Sequence, residues 1–101
     1  MYLHIGNHHM VRTREILGIF DLDRATRSPV TRQFLRAAER GGKTKRATDD
    51  LPKAFVLMRD GSVHMALLSV QTLVGRIGEW ERDKEAESRR PQAAANEKGM
   101  N

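Results

Sequence analysis

A chain of 101 residues with 39% hydrophobic residues and only five aromatics (Tyr2, Phe20, Phe34, Phe55 and Trp80) holds one domain with a modest core. Such a domain is marginal alone, and oligomerisation would supply the missing burial. The absence of cysteine excludes a disulfide framework, a thiolate metal site and a cysteine nucleophile, while a net charge of +5 and a pI near 10.2 fit a nucleic-acid or anionic partner.

Tyr2 to Ile5 and Met10 to Thr13 are short, partly β-branched runs separated by Gly6-Asn7-His8-His9, which predicts a hairpin. Ile16, Leu17, Ile19 and Phe20 form an apolar strand interrupted by Gly18, the mark of a bulge or a close backbone approach. Asp21 to Arg27 reads as a polar loop.

Ser28-Pro29 starts a helix, because serine caps the free amides of the first turn and proline fits the first helical position. Val30, Phe34, Ala37 and Ala38 fall on one face, with Phe34 expected in the core, and Arg32, Arg36 and Arg40 recur every four residues on the opposite face. Gly41-Gly42 ends the helix. Lys43, Lys45 and Arg46 then carry charge into a predicted loop, so that from Arg24 to Arg46 eight cations stand against one acid, Glu39.

Two readings of this stripe stand side by side. A solvated helix face with cations near the C-terminus is favoured by the helix dipole. Like charges four apart repel, however, and a polyanionic partner would relieve that repulsion.

Ala47 to Pro52 is polar and turn-rich, and Ala54 to Met58 is a nearly continuous apolar strand. Asp60-Gly61 between hydrophobic runs predicts a second hairpin, with Ser62 to Leu68 as its returning strand. Ser69 caps a last helix in which Val70, Leu73, Val74, Ile77 and Trp80 form an apolar face for a core or an oligomer interface. Gly75 and Gly78 in that helix allow close backbone approach or simply loosen a surface turn. Residues 81–101 balance their charges and read as a charged helix extension, ended by Pro91, and a disordered tail, leaving 1–80 as the folded domain that carries the whole charge excess.

Strand, strand, strand, helix, strand, strand, helix is an α+β order: a small antiparallel or mixed sheet built from two hairpins and one further strand, with two helices. The opening residues show no signal peptide, and no apolar run approaches the roughly twenty residues of a membrane span, so a cytoplasmic location without membrane contact is expected.

Ile5-Gly6, the run Val11-Arg12-Thr13-Arg14-Glu15-Ile16-Leu17-Gly18-Ile19-Phe20-Asp21, Ser28-Pro29-Val30 and Pro52-Lys53-Ala54-Phe55-Val56 resemble the RemA and RemB family of bacterial extracellular matrix regulators, RemB more closely, over about residues 1 to 78. The resemblance implies a small cytoplasmic DNA-binding regulator of biofilm-matrix transcription in spore-forming, low-GC Gram-positive bacteria and their relatives, acting without cofactor or catalysis and assembling into rings. It places Arg14 on the family's DNA-contacting arginine after the second strand, and Lys53 on a basic residue that opens the fourth. Where the family carries paired arginines in the preceding loop, this chain has Asp49-Asp50-Leu51, and Lys43, Lys45 and Arg46 are the candidates to take their place.

The candidate DNA contacts are therefore Arg14, Arg32, Arg36, Lys43, Lys45, Arg46 and Lys53. Few aromatics lie outside apolar patterns, which leaves no base-stacking platform for RNA. The second reading is a structural or interaction module that forms a ring or binds a RemA-like partner without touching DNA. An enzyme is the weakest reading. His4, His8 and His9 straddle a turn without a further ligand, His64 reads as a packed or hydrogen-bonded strand residue, and Asp21 and Asp23 read as turn residues. No metal, cofactor or catalytic residue is expected.

Overall fold

The computed structural model describes residues 1–88, with the backbone alone for 83–88. Strand β1 (Tyr2–Gly6) pairs antiparallel with β2 (His9–Arg12) as a separate two-stranded sheet. Asn7 takes a left-handed φ of 45° at the turn, a conformation asparagine tolerates. Leu3, Ile5 and Val11 point inward and are buried, whereas Tyr2, Met10 and Arg12 face out.

A 3-10 turn (Thr13–Glu15) leads into β3 (Ile16–Asp21). β3 pairs antiparallel with β5 (Ala54–Met58), and the register slips between Ile16 and Gly18, where a bulge is expected from the glycine. The loop predicted for Asp21 to Arg27 instead contains a short helix, α1 (Leu22–Ala25), because the Asp21 carboxylate accepts from the Arg24 amide at 2.9 Å and caps it.

Helix α2 (Pro29–Arg40) has its expected ends. The Ser28 hydroxyl accepts from the Thr31 amide at 3.4 Å, and Gly42, just past the end, takes φ +71°. Its rotation differs from the expectation. Val30 is 73% exposed and Phe34 41% exposed, while the inward stripe is buried Ala38 with half-buried Leu35 and Thr31. Adjacent helical residues lie 100° apart, so moving the inward face by one residue takes Phe34 out of the core.

Lys43, Lys45 and Arg46 do not lie in a free loop. Thr44–Arg46 is β4, pairing parallel with β6 (Val63–Ala66). Three polar residues at a sheet edge carry no alternating pattern, so the strand exists through its partner. The four-stranded sheet has the order β3-β5-β6-β4, with β5 and β6 joined by the expected Asp60-Gly61 hairpin, in which Gly61 takes φ +87°.

Strand β5 separates two cores by simple alternation. Ala54, Val56 and Met58 face Leu3, Ile5, Val11 and Leu73 of the hairpin and of α3 (Val70–Ser88). Phe55 packs on the other face with Val63 and Ala38, beside half-buried Leu22, Leu35 and Leu57. The molecule is thus a three-layer α+β domain, with hairpin and α3 on one side of the sheet and α1 and α2 on the other.

Ser69 caps α3 through the Thr72 amide at 3.2 Å. Its apolar seam is narrower than expected: Leu73 is fully buried, Val70, Ile77 and Trp80 are half-buried, and Val74 is 52% exposed. Nothing lies within 4 Å of a methyl built on Gly75, so this glycine serves no close packing among the described residues. α3 runs on past Trp80 to Ser88, and the disorder expected beyond Pro91 falls outside the described residues. Among the described residues no helix is long and apolar enough to cross a membrane.

Candidate nucleic-acid interface

Each of the seven candidate cations is solvent-exposed, and the fold divides them among four places. Arg14 sits in the 3-10 turn between hairpin and sheet, and the Arg59 side chain anchors that turn by donating from Nε to the Arg14 carbonyl at 3.1 Å. The Arg59 amide donates to the Glu15 carbonyl at 2.8 Å. The Arg14 side chain borders a cleft of about 540 Å³ with Thr13, Ile16, Ile77 and Trp80.

Lys43 reaches the same end of the sheet. Its backbone bridges α2 to β6, donating to the Ala38 carbonyl and accepting from the Val63 amide, each at 2.9 Å. Its ammonium lies 3.6 Å from where a methyl on Gly61 would sit, next to the Arg59-Asp60 turn. Arg14, Lys43 and Arg59 therefore share one end of the sheet. Arg59 was legible in the sequence only as a turn residue, since nothing local marks the carbonyl it reaches 45 residues away.

Lys45 and Arg46 lie along the edge strand, in register with His64 and Met65. Lys53 stands at the opposite end of β5 from Arg14, where its amide donates to the Ala66 carbonyl at 2.9 Å and its carbonyl accepts from the Leu22 amide at 3.1 Å. Lys53 precedes the fifth strand rather than the fourth, because β4 adds one. Arg14 and Lys53 are thus separated by the length of the β3–β5 ladder, about 15 Å for five residues.

Arg32 and Arg36 project from the outer face of α2, and Arg32 is steadied by donating from Nη1 to the Thr26 carbonyl at 2.5 Å. This leaves most of its five donors free for other acceptors. Asp49 and Asp50 are exposed ahead of Lys53, and the Asp50 amide donates to Thr48 Oγ1 at 3.0 Å. Leu51 beside them is 88% exposed.

The histidines take structural positions. His4 Nε2 bonds the Asn7 carbonyl, His9 meets His64 across the two sheets, and Asp21 caps α1. Among the described residues no three histidine, aspartate or glutamate side chains stand together as a metal site.

The comparison with known proteins agrees with the motif order. Residues 2–77 match the RemA-like family, described as extracellular matrix regulatory protein A-like. The extracellular matrix regulatory protein B of Bacillus subtilis strain 168 is 34% identical over 76 residues, which cover 75% of this chain and 89% of that protein. With the match spanning both sheets, α1, α2 and the apolar seam of α3 as far as Ile77, the chain belongs to the RemA-like family of extracellular matrix regulators.

Proposed function

We propose that this chain is a non-catalytic, DNA-binding regulator of extracellular-matrix gene expression that acts as a homo-oligomer. The observation that carries the reading is the exposed arginine face of α2. The helix turns Thr31, Leu35 and Ala38 inward and Arg32, Arg36 and Arg40 to solvent, so the stripe is free to meet phosphates along one face. Membership of a family of matrix regulators supports it, as does the exposure of Arg14 at a turn that Arg59 holds in place.

The contacts divide by role. Arg32 and Arg36 on α2, and Lys45 and Arg46 on β4, bind phosphates, while Arg14 and Lys43 extend the surface to the end of the sheet. Lys53 lies beyond Asp49 and Asp50, whose charge repels phosphate, and contributes least. Oligomerisation would set copies of this surface side by side, so that a duplex spans several protomers.

Fluorescence anisotropy against a labelled promoter duplex and a scrambled one, at about 50 and about 200 mM salt, tests the reading. Affinity is expected to fall steeply with salt, with a logarithmic slope of about 0.9 per phosphate contact. Reversing Lys43, Lys45 and Arg46 to glutamate should flatten the slope by about two to three. Absence of binding at the lower salt would overturn the proposal.

The second reading, an interaction module that joins a RemA-like partner without contacting DNA itself, is favoured by Asp49-Asp50 in the loop where paired arginines are expected and by the exposed Val30 and Phe34. Absence of DNA binding by this chain alone, together with its capture by a RemA-like protein, would favour that reading.

A further inference from the structure

β2 and β6 belong to different sheets, yet one side chain from each meets across the gap. His9 Nε2 lies 2.7 Å from His64 Nδ1, the rings standing edge to face with centroids 4.9 Å apart. The other nitrogen of His64, Nε2, lies 3.0 Å from Ser62 Oγ. Ser62 in turn donates to Asp60 Oδ1 from its hydroxyl at 2.6 Å and from its amide at 2.9 Å.

Counting hydrogens orients the whole chain. An ionised carboxylate only accepts, so the single hydroxyl hydrogen of Ser62 goes to Asp60. Ser62 Oγ then offers His64 only a lone pair, and His64 carries its hydrogen on Nε2. Nδ1 is left as a bare acceptor, which His9 fills by donating from Nε2. The resulting line, His9 to His64 to Ser62 to Asp60, ties the N-terminal hairpin to the turn after β5. Arg59 in that same turn holds the Arg14 carbonyl and the Glu15 carbonyl.

We propose that the His9–His64 hydrogen bond is a proton-sensitive latch that docks the N-terminal hairpin on the four-stranded sheet and thereby sets the position of Arg14. A first proton enters on the outward nitrogen of His9 and leaves the bond intact, because Nε2 still donates. A second proton has only His64 Nδ1 to occupy, and two N–H groups then face each other. The latch opens on the second protonation.

The surroundings oppose that step on balance. Lys45 of β4 lies in register with His64 and disfavours added charge, and Arg12 lines the same cleft of about 260 Å³ from β2. Asp60 from the turn favours it, and Glu15 lines the cleft as well. Burial holds both imidazoles below their ordinary range, with the mutual repulsion of the pair adding to the effect at His64.

The 101-residue chain serves for the test. Imidazole nitrogen shifts at pH 7.5 should show His64 as the Nε2–H tautomer. Amide exchange of Leu3, Val11 and Thr13 should lose protection relative to β5 amides between pH 7.5 and 5.5. In His9→Gln, which keeps a donor but does not titrate, that loss should vanish. The Nδ1–H tautomer, protection independent of pH in the wild type, or an equal loss in His9→Gln would each overturn the latch.

The coupling to Arg14 rests on the DNA-binding reading and has its own arm. Added histidine charge alone strengthens DNA binding in acid, whereas an opening latch weakens it relative to His9→Gln. Equal affinities of the two proteins at pH 5.5 would overturn the coupling. Failure of both to bind DNA at any pH would fall on the DNA-binding reading, leaving the exchange result to decide the latch.

Discussion

Ser62 shows how much one small side chain decides. Its hydroxyl fixes the tautomer of His64 and holds Asp60, and the residue is buried. Ser62→Ala leaves His64 Nε2–H without its acceptor, and a loss of about 1 to 3 kcal/mol is expected in urea unfolding at pH 7.5. The pH dependence has a definite sign. Because burial lowers the folded-state values of His9 and His64 below 6.5, the unfolded chain binds more protons, and stability is complete above about pH 6.5 and falls as the pH drops through the lowered values. Asp60, held below its ordinary 3.8 by the Ser62 hydroxyl and then the Ser62 amide, acts in a separate window at still lower pH. A melting temperature that falls between pH 7.5 and 5.5 in the wild type, and less in His9→Gln, checks the sign. Gly6 is decided by space: a methyl there would stand 2.8 Å from the Ala47 carbonyl oxygen and 3.0 Å from Leu67 Cβ. Gly6→Ala should cost about 1 to 3 kcal/mol by overpacking, visible as a lower unfolding midpoint.

At the scale of elements, α3 and α2 use their apolar residues differently. Leu73 is fully buried in the core made with Leu3, Ile5, Val11 and Val56, and Leu73→Ala should cost about 2 to 5 kcal/mol, measured by denaturant unfolding. Val74, one residue on, is half exposed, and its truncation should change little. α2 instead leaves its largest side chains outside. Phe34, Val30 and Phe20 line an open groove of about 300 Å³ with Ala25 and Leu57, over the stacked pair Phe20 and Phe55 whose centroids are 5.0 Å apart. Periodicity identified α2 as amphipathic but placed its inward face one residue off, because Val30 and Phe34 outrank Thr31 in hydrophobicity while the helix turns Thr31, Leu35 and Ala38 inward.

For the whole molecule, the two cores on either side of a four-stranded sheet are small, and the exposed apolar groove is the surface through which the proposed self-association would add burial. Phe34→Glu, placed where the side chain is already 41% exposed, should leave the far-ultraviolet circular dichroism unchanged and lower the mass seen by sedimentation at micromolar concentration. An unchanged mass would move the interface to another face. Loss of DNA affinity in the same variant would tie assembly to binding, since phosphate contacts from several protomers add their salt-dependent terms.

The residues 1–88 divide clearly between what was legible locally and what was not. The ends of α2, the cap of α3, the Asp60-Gly61 hairpin, the slip at Gly18 and the α+β class were determined by the sequence itself, because caps, left-handed glycines and alternation depend on atoms within a few residues of one another. The exposure of the seven cations followed equally from their charge. Tertiary structure alone decided that Thr44–Arg46 is a strand, that Phe34 faces outward, and that Arg14 and Lys53 lie at opposite ends of the sheet. It also decided that His9 meets His64 across 55 residues of chain. Those outcomes depend on which surfaces share the limited space against β5 and β6, and that competition leaves no mark on any short stretch of sequence.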